Sequence, residues 1–149
     1  PRTGILERFQ LIAGLTAEAL DGLGVDTGIG EVPGEYCPGA FSVHARGRVK
    51  LAGYGQRLVR GAAHVGGVVV AEGGDRIRTV LGPVYAALGL AWDPATAGDV
   101  AGETGASLED VGAALVTALG RRFDVVAGTL PPDLVAEAES RADAHRPNG

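Results

Sequence analysis

The hydrophobic period changes twice along this chain, and that pattern limits its fold more than any other feature. From Ile5 to Leu23 the apolar positions Leu6, Phe9, Ile12, Ala13, Leu20 and Leu23 keep close to a 3.6-residue repeat. Between residues 25 and 71 the repeat disappears. Glycine-bearing segments there alternate with short runs of β-branched residues. From Asp75 onward the helical spacing returns through Ile77, Val80, Leu81, Val84, Tyr85 and Leu88. Helix, then strands, then helices predicts an α+β domain with a mixed or antiparallel sheet and flanking helices.

Local signals sharpen this outline. Gly24 stands where a helix over 5–23 needs a left-handed terminator. Val25 to Val32 has room for one short strand, and Pro33 to Gly39 reads as a loop. Phe41–Ala45 and Arg48–Ala52, joined by Arg46-Gly47, read as a β-hairpin. Gly53-x-Gly55 reads as a tight turn: the third glycine of a dinucleotide fingerprint is replaced by Leu58, and no helical pattern follows. Ala63–Ala71 reads as a buried valine strand. Gly82-Pro83 is expected to kink or split the helix over 75–90. Trp92–Gly105 is expected to be loop. Ser107 with Asp110 marks the start of a further helix, and Pro131-Pro132 starts a last polar one that frays towards Gly149. These boundaries predict one unit over residues 1–124 and a C-terminal helix and tail over 125–149.

Composition excludes several classes. The 149 residues carry a formal net charge of −5 with no basic block, which argues against a nucleic-acid surface. No apolar run approaches the roughly 18 residues of a membrane span, and no leader pattern precedes the first amphipathic stretch. One cysteine rules out an internal disulfide. The expectation is a cytoplasmic protein. Proline at position 1 and the absence of methionine favour a piece of a longer chain.

Lys50 is the one lysine among 13 basic residues, and the rest are arginine. A compact ammonium can point at one oxygen in a crowded site where a planar guanidinium cannot. Arg48 and Lys50 share strand parity and are expected on one face. Gly53 and Gly55 leave room for a ligand beside Lys50, and Gln56 adds an orienting amide. Arg57 and His64 are weaker candidates. Cys37 reads as a small, semi-buried thiol or as an acyl-accepting nucleophile served by His44 or His64. The histidines have no metal-ligand spacing.

Across Gly34-Glu35-Tyr36-Cys37-Pro38-Gly39, Ser42-Val43, and Lys50-Leu51-Ala52-Gly53-Tyr54-Gly55-Gln56-Arg57, the chain resembles the lipoate–protein ligase A family of the biotin/lipoate ligase and octanoyltransferase superfamily. The likeness continues through Gly61-Ala62-Ala63-His64-Val65 and Val80–Leu90, and covers about residues 20–100. It implies a biotin/lipoate ligase-like fold and adenylation of lipoic or octanoic acid with ATP and Mg2+. The acyl group then passes to a lysine of a lipoyl domain or a glycine-cleavage H protein. It implies that Lys50 contacts the acyl carbonyl and phosphate region of the acyl-adenylate. The family's Arg-Arg-x-x-Gly-Gly segment has no counterpart here. The expectation is therefore a catalytic domain incomplete at its N-terminus, completed by a missing segment or a separate subunit. Such a piece is expected to expose a sheet edge and apolar surface, and to self-associate or be unstable. Two alternatives stand beside ATP-dependent ligation: a cysteine-dependent octanoyl or lipoyl transferase using Cys37, whose relatives keep their nucleophile near this place, and a non-catalytic partial domain.

Overall fold

The computed structural model describes residues 4–146. Expectations for Pro1–Thr3 and Pro147–Gly149 lie outside the described residues. The chain begins with helix α1 (Ile5–Asp21), continues through strands β1 (Thr27–Ile29), β2 (Val43–Ala45), β3 (Val49–Val59) and β4 (Ala62–Val69), and then enters helix α2 (Gly74–Leu88). Helices α3 (Val100–Thr104), α4 (Leu108–Gly120) and α5 (Pro132–Ser140) follow. The four strands form one antiparallel sheet in the order β1-β2-β3-β4. This is the expected α+β class. No helix among the described residues is long and apolar enough to cross a membrane.

The core lies where α1 packs against the sheet on one side and against α4 on the other. Ala13 and Leu20 of α1, Val43 and Ala45 of β2, Leu51 of β3 and Val100 of α3 are fully buried. α1 ends as its sequence predicts. Gly24 takes a φ of 88°, and the Val25 N–H reaches back to the Leu20 carbonyl at 3.1 Å. The Ser107–Asp110 capping box forms at the start of α4, with both reciprocal hydrogen bonds present. The Ser107 hydroxyl and backbone N–H together hold the exposed Asp110 carboxyl below its ordinary range.

Four expectations are corrected. Gly53-x-Gly55 is not a turn. β3 runs unbroken through it, pairing Gly53 with Val68 and Gly55 with Gly66. Close packing accounts for Gly53, whose Cβ would lie 3.2 Å from Lys50 Cε, and for Gly67 of β4, whose Cβ would lie 2.5 Å from the Tyr54 ring, whereas a Cβ on Gly55 would meet open space. The valine strand is not buried. β4 is the last strand of the sheet, and Val68 is 69% exposed. A valine run suits an edge and a central strand equally, because strand propensity reports local fit rather than position in a sheet. Pro83 does not split α2. It removes the N–H that would meet the Thr79 carbonyl, but Thr79 is exposed, where water can take that acceptor. The segment 92–105 is not all loop. The Asp99 carboxylate accepts from the Gly102 N–H and starts the short α3, while Pro94–Thr96 forms a 3-10 turn.

The outer edge of β4 has no neighbouring strand among the described residues. Val80, Val84 and Leu88 of α2 are exposed, as is every residue from Arg121 to Arg146.

Candidate functional site

A groove of about 1410 Å³ runs between the loop 36–42, the glycine-bearing middle of β3 and β4, and the first turns of α2. Its surface is mainly apolar. Phe9 and Phe41, stacked with centroids 5.3 Å apart, meet Val68, Ile77, Val80 and Leu81 across a floor that includes Gly53, Gly55, Gly66 and Gly67. Lys50 and Cys37 also line it.

A bulge aims Lys50 into this groove. β2 and β3 pair His44 with Lys50 and Val43 with Ala52, so one β2 step opposes two β3 steps around Leu51. In a regular strand, residues three apart face opposite sides. Here Lys50 and Gly53 meet on the same side, with the lysine stem over the glycine. The expected pairing of Arg48 with Lys50 on one strand face also fails, because β3 begins only at Val49. Arg48 is exposed in the turn after β2, where Arg46 and Gly47 take φ values of 51° and 65°. Lys50 is 3% exposed.

The ammonium has three donors and three oxygens around it. Lys50 Nζ donates to the Tyr36 carbonyl at 3.0 Å and the Cys37 carbonyl at 2.7 Å, and lies 3.5 Å from Glu35 Oε2. The Tyr36 ring centroid is 5.1 Å away, close enough for a cation–π contact. Trp92 and Tyr85 brace the loop from behind. Tyr36 meets Trp92 edge-on, Tyr85 packs at 5.2 Å from Trp92, and the Tyr85 hydroxyl accepts from the Cys37 N–H at 2.8 Å. Burial raises the pKa of the Tyr36 phenol, and the neighbouring Cys37, Glu35 and Tyr85 push the same way. Burial also raises that of Tyr54. Both phenols are therefore neutral near pH 7 and present no negative charge beside the cation.

The other candidate residues are dispersed. Cys37 is exposed rather than semi-buried, and its φ of 42° is unusual for a residue with a side chain. Gln56 faces α1 instead of the groove: its Oε1 accepts from Arg8 Nε at 2.9 Å, and its Nε2 donates to the Ile5 carbonyl at 2.7 Å. Arg57 and His64 pair across β3 and β4 outside the groove lining, and both are exposed. His44 lies against Gly28 and accepts from the Gly47 N–H, so neither suggested histidine lines the groove beside Cys37.

Glu35 and Tyr85 are the residues that sequence reasoning missed. Glu35 lies inside the loop that carries the family resemblance, but a lone acidic residue between two Pro-Gly turns has no periodicity that would mark it as buried. Tyr85 reads as one more apolar position of α2.

No protein-family model and no curated protein sequence matches the chain. Solved structures match its fold. One is a provisionally assigned lipoate protein ligase of T. acidophilum with bound lipoic acid, at a TM-score of 0.68 and 19% identity, covering 94% of this chain and 55% of that one. Another is a lipoate-protein ligase A bound with ATP, at a TM-score of 0.70 and 17% identity, covering 93% of this chain and 55% of that one. The chain therefore has the α+β fold seen in these lipoate-protein ligases, and it spans about 55% of their length.

Proposed function

We propose that the groove binds a lipoic or octanoic acyl chain and that Lys50 contacts its activated carboxyl end, in ATP-dependent attachment of the acyl group to a carrier-protein lysine. The observation that carries this reading is a buried ammonium at the wall of a long apolar groove. Apolar walls favour an aliphatic chain, and a cation in a poorly solvated site stabilises oxygens that gain negative charge during acyl transfer. The two structural neighbours support the same choice of ligands, since one holds lipoic acid and the other ATP. The groove exceeds the roughly 300–1,000 Å³ of a usual small-molecule pocket, which suits an acyl chain together with a nucleotide.

In this reading the acyl carboxylate attacks the α-phosphate of ATP and pyrophosphate leaves. The carrier lysine amine then attacks the acyl carbonyl and AMP leaves. Lys50 donates to the acyl carbonyl and the adjoining phosphate. Gly53 and Gly55 keep the floor low beside it. No group of three His, Cys, Asp or Glu side chains able to hold a metal is present among the described residues. Mg2+ is therefore expected to arrive on the nucleotide phosphates, its usual carriers. The proposed acceptors are lipoyl domains and the glycine-cleavage H protein, and a further segment or subunit is proposed to complete the site.

One observation favours a second reading. Cys37 is an exposed thiol on the same groove that Lys50 lines, so a thioester formed on it would share that groove with the cation. An acyl-transfer assay to a lipoyl-domain carrier separates the two. ATP-dependent transfer that survives Cys37→Ser is the expected result. ATP-independent transfer that disappears in Cys37→Ser would replace ligation by the thioester route.

A further inference from the structure

Glu35 is the most buried ionisable group beside the groove, with no side-chain exposure, yet it does not line the groove itself. Its two oxygens are used differently. Oε1 accepts from the Gly39 N–H at 2.9 Å and from Ser42 Oγ at 2.8 Å. Oε2 has no hydrogen-bond donor and faces Lys50 Nζ at 3.5 Å. A buried carboxylate oxygen without a donor is costly unless a cation stands near it. Lys50 in turn donates to the carbonyls of Tyr36 and Cys37, the two residues that follow Glu35 in the chain. One carboxylate thus fixes both the ammonium and the loop that the ammonium holds.

We infer that Glu35 is the positioning residue of this site: it sets where the Lys50 ammonium stands and shapes the 36–39 lip without touching the ligand. The inference rests on the proposed role of Lys50 at the acyl group. It also says how a ligand enters. With Glu35 in place, the ammonium already donates to the Tyr36 and Cys37 carbonyls, and its charge faces Glu35 Oε2 at 3.5 Å. An acyl oxygen reaches Nζ by displacing a lip carbonyl. Displacing Glu35 instead would strand Oε2 in a buried position.

The chain's single lysine makes this measurable. Protein grown with 15N-lysine gives one side-chain ammonium signal, and a buried ammonium held by two carbonyls beside a carboxylate exchanges with water slowly enough to be seen. Glu35→Gln is expected to abolish or shift that signal and to weaken binding of a non-hydrolysable lipoyl-adenylate analogue at least tenfold. Ser42→Ala, which removes only a donor to Oε1, is expected to keep the signal. Glu35→Asp serves if the glutamine variant does not fold: its shorter carboxylate should retain the signal at reduced intensity or changed position. A Glu35→Gln signal unchanged in position and intensity overturns the inference. A signal lost in Glu35→Gln, with no analogue binding by the wild type, upholds Glu35 as the residue that positions Lys50 and overturns the acyl-ligand reading instead.

Discussion

Lys50→Met lowers the folding stability of this chain by about 3–5 kcal/mol, because it leaves the buried Glu35 carboxylate without its cation. Glu35 keeps its bonds from Gly39 and Ser42, but Oε2 then faces an apolar methyl group. The Tyr36 and Cys37 carbonyls lose their shared donor in the same step. Small domains have only about 5–15 kcal/mol in total, so the loss is large. Replacing both partners removes the stranded charge, and Glu35→Gln/Lys50→Met is expected to regain much of the stability. Urea denaturation of the two single variants and the double variant measures the coupling. Additive losses would mean that the pair does not act as a unit. A Lys50→Met cost below about 1 kcal/mol would place the pair among exposed surface bridges.

Leu51→Ala carries the second large effect, about 2–5 kcal/mol. Leu51 is fully buried and sits at the bulge between the groove residue Lys50 and the core residue Ala52. Its side chain fills the core cluster with Val43 and Val100, so truncation opens a cavity there rather than in the groove. Val80→Ala is the matching control. Val80 is 62% exposed on α2, and its truncation is expected to change stability by no more than about 0.5 kcal/mol. Denaturant midpoints for the two variants, at unchanged slope, check the contrast. A small Leu51 effect would contradict a bulge anchored by core packing.

Most elements were legible in the chain, because their signals are local. The stripe of α1, its Gly24 stop, the hairpin at Arg46-Gly47 and the Ser107–Asp110 box each need only a few neighbouring residues. Lys50 was legible for another reason: it is the sole lysine, set among glycines. What could not be read depends on partners far along the chain. The bulge at Leu51 adds one residue to β3 without altering any local pattern, yet it reverses which side chains share a face with Lys50. Arg48 was misplaced for a separate reason: it belongs to the turn, and β3 begins only at Val49. Gln56 carries an amide that fits a ligand as well as it fits the Ile5 carbonyl, and only packing of α1 against the sheet decides between them. The exposure of β4 follows from its place at the end of the strand order, which its valines do not encode. Glu35 is buried because Lys50 lies beneath its loop, 15 positions later in sequence.

Calorimetric titration of a non-hydrolysable lipoyl-adenylate analogue, into the wild-type chain and Lys50→Ala, tests the central claim most directly. The account predicts saturable one-to-one binding to the wild type and a loss of at least tenfold in affinity without Lys50. Binding of equal strength to both proteins would contradict it, since the buried ammonium of the groove would then have no part in holding the acyl group.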